Sequence, residues 1–337
     1  MKSLALKYRP QTFDDVVCQD SVMRVLSSQI EFKDFKQSYL FCGGAGTGKT
    51  TTARIFGKEV NGGKGRLIEI DGASNNGVDN IRNLIEDCKM KSLDSDYKVY
   101  IIDECHMLSI GAWNAFLKVL EEPPKGVIFI MCTTDPQKIP QTILSRVQRF
   151  DFTRIPTDKI VGRLIYIIEH EGGIDYEVEA LQYIAKLADG GMRDAITKLD
   201  TVLGYSDYIS TQNVLDCLGL SSYDEMSELL KAIITQDGSK CLQVINTVYM
   251  SGKDLKLFIK DISKYLLDIL KYDLTHSFEL TFIPKDSEKD AMSIAQSAGL
   301  DFLLDMLDTF NKLYQIIKYE QNPRAMIESE VLLLCLK

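Results

Sequence analysis

The sequence predicts an α/β fold, a parallel sheet with helices on both faces, followed by all-helical parts. Three observations carry this. Short apolar runs alternate with amphipathic helical patterns from about residue 38 to residue 133. The first run opens onto a glycine-rich loop ending in Lys49-Thr50. Beyond about Thr153 the strand signals stop, and each periodic segment reads as a helix.

The elements follow in order. Arg9-Pro10 and Asp14-Asp15 are turn signals, and Val22, Val25, Leu26 and Ile30 then repeat at helical spacing. Ser38-Tyr-Leu-Phe-Cys42 is apolar and meets glycines, which predicts a buried strand. A helix is expected from Lys49 to Val60, and a second strand from Arg66 to Asp71. Val78, Ile81, Leu84, Ile85 and Cys88 line one face of a helix from Val78 to Lys89. Lys98-Val-Tyr-Ile-Ile-Asp103 predicts a third strand. Gly111 to Glu122 predicts a helix stopped by Pro123-Pro124. Val127 to Thr133 predicts the fourth strand. Helices are then expected at Ile160–His170, Val178–Ala188, Arg193–Leu203 and Thr211–Leu218, with several long ones from Tyr223 onward. Three domains follow: residues 1–153 (α/β), 154–220 (helical) and 221–337 (helical). Gly219 and Ser221-Ser222 are the only markers of the second boundary.

The composition is that of an ordinary globular protein. The chain has 337 residues, 45% of them hydrophobic and 26% charged, which excludes collagen, coiled coil and wholesale disorder. No apolar run, Val331 to Leu336 included, approaches the ~20 residues a membrane helix needs. The first residues lack an apolar signal core, so a cytoplasmic protein is expected. A net charge of −9 argues against a general nucleic-acid coat, though not against a local basic patch. The eight cysteines include no C-x-x-C pair and only three histidines accompany them, so reduced thiols are expected and a structural metal is not.

Gly43-Gly44-Ala45-Gly46-Thr47-Gly48-Lys49-Thr50 matches the phosphate-loop pattern G-x-x-x-x-G-K-[ST] without a mismatch, with a strand before it and a helix after. Its glycines let backbone N–H groups turn toward phosphate oxygens, and the helix N-terminus adds positive potential. Lys49 would reach the β- and γ-phosphates, and Thr50 would hold Mg²⁺. Thr51 follows in the first turn of the helix. Asp103, ending the third strand, would face the metal, and Glu104 would polarise water for attack on the γ-phosphate. His106 reads as a polar strand-end residue.

Longer segments carry a family resemblance. Ile101-Ile-Asp-Glu-Cys-His-Met-Leu-Ser109 and Ala115-Phe-Leu-Lys-Val-Leu-Glu-Glu-Pro-Pro124 resemble the bacterial clamp-loader ATPase, the gamma/tau subunit of DNA polymerase III. So do Tyr8-Arg-Pro-Gln-Thr-Phe-Asp-Asp-Val-Val17, Thr133-Thr-Asp-Pro-Gln-Lys-Ile-Pro140 and Ile143-Leu-Ser-Arg146. The resemblance runs from residue 4 to about 200. It implies an AAA+ nucleotide-binding domain, a helical lid and an all-helical, oligomerising collar. It implies a subunit that opens a sliding clamp and loads it on primed DNA, with ATP and Mg²⁺ as cofactors. The implied partners are other clamp-loader subunits in a ring, expected to be a pentamer, together with the clamp and primer–template DNA.

The resemblance also implies roles. Thr134 senses the γ-phosphate; Arg146 is an arginine finger acting on ATP held by the neighbouring subunit; Arg193 is a second sensor on the lid. Taken alone, Arg146 reads as a surface arginine, and Arg193 as a helix N-terminal residue paired with Asp194. Tyr8, Arg9, Val16 and Val17 match the segment that packs around adenine. Ser74 and Arg82 are the candidates for DNA phosphate contact. Read alone, Arg82 is a solvated helix residue.

The sequence departs from the family in places. The family's four zinc-module cysteines have no counterpart, since Asn61-Gly-Gly-Lys-Gly65 fills that stretch, so zinc is not implied. Cys18 stands for a glycine after Val16-Val17, and Val147 for a cysteine after Arg146. The chain ends at Lys337 without the extension of the tau form, which points to a streamlined, phage-encoded form in an infected host as one expectation. Two other readings stay open: a non-hydrolysing structural subunit, and another ATPase of the superfamily, such as a helicase loader or a branch-migration motor.

Overall fold

The computed structural model describes residues 3–65, 67–90, 95–219 and 222–336. The expected strand start at Arg66 and the expected boundary at 220–221 lie outside them. The chain packs as two compact units. One comprises the residues up to Gly173 with Ile184–Asp200; the other comprises Ile174–Tyr183 with the residues from Thr201 on.

The first unit opens with the short helix α1 (Leu4–Lys7) and the longer α2 (Asp20–Phe32). Strands and helices then alternate as β1 (Ser38–Gly43), α3 (Lys49–Glu59), β2 (Leu67–Asp71), α4 (Val78–Cys88), β3 (Lys98–Asp103), α5 (Ile110–Glu121) and β4 (Val127–Thr133). After α6 (Gln141–Leu144) comes β5 (Gln148–Phe152), and then α7 (Thr157–His170). The strands form one parallel sheet in the order β2-β3-β4-β1-β5.

Burial on both faces explains the continuous apolar strands. Tyr39, Phe41, Ile101 and Ile130 face α2 and α3, packing with Leu26 and Phe56. Their neighbours Leu40, Cys42, Ile102 and Met131 face α4 and α5, packing with Ile81, Leu84, Trp113 and Phe116. The alternation follows from the two-residue period of a strand. Helix α5 starts where the Ser109 side chain accepts from the Ala112 N–H at 3.2 Å, and it stops before Pro123-Pro124.

β5 and α6 were not expected. In β5, Phe150 and Phe152 are buried while Arg149 and Asp151 are exposed and bonded to each other, so charges interrupt its apolar signal. This suits an edge strand, where one side of the ladder is free.

The chain continues with β6 (Asp175–Tyr176), α8 (Val178–Leu187), α9 (Met192–Tyr205), β7 (Tyr208–Ile209) and α10 (Thr211–Cys217). The two-residue β6 and β7 pair in parallel, which corrects the expectation that strands end by Thr153. Two residues are too few to carry a readable alternation. Next come α11 (Tyr223–Ile234), α12 (Gly238–Met250), α13 (Leu255–Thr275), α14 (Glu288–Ala298), α15 (Leu300–Ile317) and α16 (Pro323–Cys335). These six share one core, with Phe258, Ile262, Leu266, Phe310 and Val331 buried in it. Leu257 and Leu267, also apolar positions of α13, are instead exposed. Asp268 is buried but satisfied by Lys271 at 2.7 Å and the Phe282 N–H at 2.8 Å. Among the described residues, no helix is long and apolar enough to cross a membrane.

Candidate functional site

The parallel sheet sends β1, β3 and β4 out at the same end, so their C-terminal residues converge. The loop after β1 wraps its own lysine. Lys49 is 5% exposed, and its Nζ donates to the carbonyls of Gly43 at 2.8 Å and Gly44 at 2.6 Å. Burial lowers its pKa, opposed by the nearby Glu104 and Asp103. Thr47 closes the loop by donating from Oγ1 to the Gly44 carbonyl at 2.9 Å.

The next residue meets the acidic strand end. Thr50 Oγ1 donates to Asp103 Oδ2 at 2.9 Å, across the end of β4. A hydroxyl and a carboxylate oxygen so placed are hard donors, which fit a small divalent cation. Glu104 begins a 3-10 turn at Cys105–Met107 with φ 45° and ψ 45°, a left-handed conformation that costs a non-glycine residue about 1–3 kcal/mol. Its Oε2 accepts from Thr134 Oγ1 at 2.9 Å and lies 3.3 Å from His106 Nδ1. His106 Nδ1 also lies 3.2 Å from Thr133 Oγ1. His106 is thus a mostly buried polar residue at the strand ends. Cys105 and Cys132 beside this cluster are fully buried, and burial pushes their thiols well above the ordinary range.

Lys49, Thr50, Asp103 and Glu104 border a cavity of about 340 Å³. Ala45, Gly46, Thr47, Gly48, Lys49, Thr50 and Thr51 line its floor, with Asp103 and Glu104 at one side. Tyr8, Arg9, Val16 and Val17 form another wall, and Arg193 borders it from α9. Two glycines let that helix start close to the loop. A Cβ on Gly46, at φ 71°, would stand 3.1 Å from the Gly191 Cα. A Cβ on Gly191 would stand 2.8 Å from the Ala45 carbonyl oxygen. The Met192 N–H then donates to the Gly46 carbonyl at 3.0 Å. Asp194 pairs with Lys198 at 3.3 Å rather than with Arg193.

The N-terminal wall is tied down along its length. The Leu4 N–H donates to Asp200 Oδ2 at 3.0 Å, and Arg163 donates to the Tyr8 carbonyl at 3.2 Å. Lys7 and the Tyr8 hydroxyl both bond Glu171. Burial and the Glu171 bond raise the Tyr8 pKa to about 12. Cys18, just past the valines, adopts φ 60°. The family glycine it replaces would take that conformation without strain.

Of the expected residues, Gly43, Gly44, Thr134, Arg146, Ser74 and Arg82 lie outside the cavity lining; Gly43 and Gly44 touch it through Lys49, and Thr134 through Glu104. Arg146 is bonded within the chain to Glu121 at 2.8 Å and to the Thr142 carbonyl at 2.7 Å. Ser74 donates to Asp71 Oδ2 at 2.6 Å, and the exposed Arg82 pairs with Asp79 at 3.2 Å. Cavity residues that sequence reasoning did not assign to the site include Ala5, Asp15, Ile155, Arg163, Met192, Ile196 and Thr197. They come from separate segments, and no local pattern marks them.

Known sequences match this chain in consecutive segments. Residues 66–156 match the family model for the DNA polymerase III delta subunit. Residues 159–207 match that for the DNA polymerase III clamp loader subunit, ATPase lid domain. Residues 209–336 match that for DNA polymerase III subunits gamma and tau, domain III. The chain is 39% identical to DNA polymerase III subunit tau of Bacillus subtilis, with 97% of this chain and 62% of that protein covered. It thus spans about three fifths of that relative's length. It is 31% identical to DNA polymerase III subunit gamma of Buchnera aphidicola subsp. Schizaphis graminum, with 87% of each covered. Among solved structures, the RuvB Holliday junction branch migration motor of Thermotoga maritima superposes with a TM-score of 0.52 at 21% identity. The match covers 67% of this chain and 79% of that one; at such identity it shows the shared AAA+ fold alone.

Proposed function

The chain belongs to the DNA polymerase III gamma/tau family, and on that premise we propose that it is an ATP-hydrolysing clamp-loader subunit. It opens a sliding clamp and closes it on primed DNA, working in a ring with other clamp-loader subunits in the cytoplasm. The 2.9 Å bond from Thr50 to Asp103, beside a buried Lys49 and a Thr134-bonded Glu104, is the observation that carries the reading.

Each residue has a chemical task. Backbone N–H groups of Gly43 to Thr51 and the start of α3 hold the phosphates. Lys49 exchanges its carbonyl bonds for the β- and γ-phosphate oxygens. Thr50 and Asp103 hold Mg²⁺, which when bound neutralises charge on the phosphates. Glu104 takes the proton of the water that attacks the γ-phosphorus, and ADP leaves. Thr134 fixes one oxygen of that carboxylate. Arg193 borders the phosphates from the lid. Tyr8, Arg9, Val16 and Val17 enclose the base.

Arg146, exposed and clear of its own cavity, serves the neighbouring subunit's ATP. A guanidinium suits this, being permanently charged and able to donate several N–H bonds to spreading charge. Ser74 and Arg82 contact DNA phosphates, which gives salt-dependent binding without sequence preference. The division into residues 1–153, 154–220 and 221–337 is part of this proposal; the lid match over 159–207 and the domain III match over 209–336 support the order of its parts.

The test is ATP turnover by the assembled complex with and without primed DNA and the cognate clamp. Stimulation by both is expected. Absence of turnover leaves a structural subunit, and turnover indifferent to the clamp removes the loader reading.

A further inference from the structure

Gln19 is 2% exposed and lies on no apolar repeat. A buried amide is costly unless its donors and acceptor are matched. Here they are matched to backbone on two elements. Nε2 donates to the Thr153 carbonyl at 2.9 Å and makes a longer bond, 3.4 Å, to the Thr47 carbonyl. Oε1 accepts from the Thr153 N–H at 3.2 Å. The amide thus grips both backbone groups of one residue, Thr153, and reaches the phosphate loop with its remaining hydrogen.

The places it joins all concern the cavity. Val16 and Val17, just before it, line the cavity wall. Thr47 is the buried turn of the phosphate loop. Thr153 directly follows β5, and Ile155, two residues on, lines the cavity before α7 begins. The left-handed Cys18 separates the wall from Gln19, so a strained turn lies between a residue facing the cavity and one buried in the fold.

We infer that Gln19 is a positioning residue for nucleotide: its amide fixes the phosphate loop and the base wall against the exit of β5 toward α7. It acts through backbone and touches no substrate itself. The inference rests on the ATP reading above. Without the amide, the loop and the wall are set independently, and a ligand that spans both must order them on binding.

The experiment is titration of the full chain with Mg·ATP by calorimetry. Gln19→Met keeps the volume and removes all three bonds; Gln19→Glu keeps the acceptor and loses both donations. Both are expected to weaken ATP binding about tenfold, a loss of ~1.4 kcal/mol. Ile128→Val, in the sheet core near the far end of β4, lowers stability without touching the cavity and is expected to leave affinity within about twofold. Equal affinity of the Gln19 variants and wild type overturns the inference, as does an equal loss in Ile128→Val. Lys49→Ala separates the two levels. A wild type that binds no better than Lys49→Ala removes the ATP reading, and this inference with it. A wild type that binds well beside an unaffected Gln19→Met removes this inference alone.

Discussion

The Thr134 hydroxyl donates to Glu104 Oε2 at 2.9 Å, so the ends of β4 and β3 are joined through the carboxylate that would activate water. Glu104→Gln should bind Mg·ATP within about threefold of wild type, yet lose at least about a hundredfold in turnover. Thr134→Val should lose about tenfold or more, because the carboxylate is no longer aimed. Phosphate release and calorimetry read the two effects separately. A Glu104→Gln protein that turns over normally would assign the base elsewhere.

Arg146 is held by Glu121 and the Thr142 carbonyl, away from its own cavity. Arg146→Ala should therefore bind ATP normally as an isolated chain. In the assembly its hydrolysis should fall by about a thousandfold. Loss of nucleotide binding in the isolated chain would contradict action in trans.

Gly191 abuts the phosphate loop. A methyl group there meets the Ala45 carbonyl at 2.8 Å, and the backbone must give way. Gly191→Ala should break the Met192–Gly46 bond and weaken ATP binding by about tenfold or more, since lid and loop no longer meet. Far-ultraviolet circular dichroism should remain that of the wild type.

Cys18, half-buried, holds a left-handed φ of 60°. Replacement by glycine removes a left-handed penalty of ~1–2 kcal/mol and adds unfolded-state entropy. Cys18→Gly should raise stability by ~0.5–1 kcal/mol, seen as a higher urea midpoint at unchanged slope. A lower midpoint would mean the thiol packs better than its geometry suggests.

Tyr8 has its pKa raised to about 12 by burial and by the bond to Glu171. The folded chain therefore keeps the phenolic proton longer than the unfolded chain does. This contribution to stability is complete below the ordinary value of 10.0 and is lost as pH rises through about 12. Wild type should be more stable than Tyr8→Phe at neutral pH, and the difference should shrink between those limits. Alkaline unfolding of both proteins measures it.

The central strands and the phosphate loop were legible because each has a local cause. A strand buried on both faces must be apolar throughout, as β1, β3 and β4 are. A phosphate loop must place glycines, lysine and threonine at fixed offsets. β5 was illegible because an edge strand with Arg149 and Asp151 outward has only two buried aromatics to announce it. Gln19, Arg163 and Met192 were illegible for a different reason. Their partners lie far away in sequence, at Thr153, Tyr8 and Gly46, and no spacing rule connects them. The pairing of Asp194 with Lys198 is a local helical contact that sequence reading could have preferred.

The strand order has a consequence for how this chain can change. The loop after β1, Thr134 and Glu104 are delivered by three adjacent strands, β1, β4 and β3, whose axes lie ~4.8 Å apart. The sheet is thus a ruler, and the distances between these side chains are set by backbone hydrogen bonds rather than by the filling of the core. Exchanging Ile130 for valine leaves the ruler intact. Adding or removing a single residue in β4 turns Thr133 and Thr134 through half a pleat and breaks the link to Glu104. The length of β4 is therefore constrained more tightly than its composition.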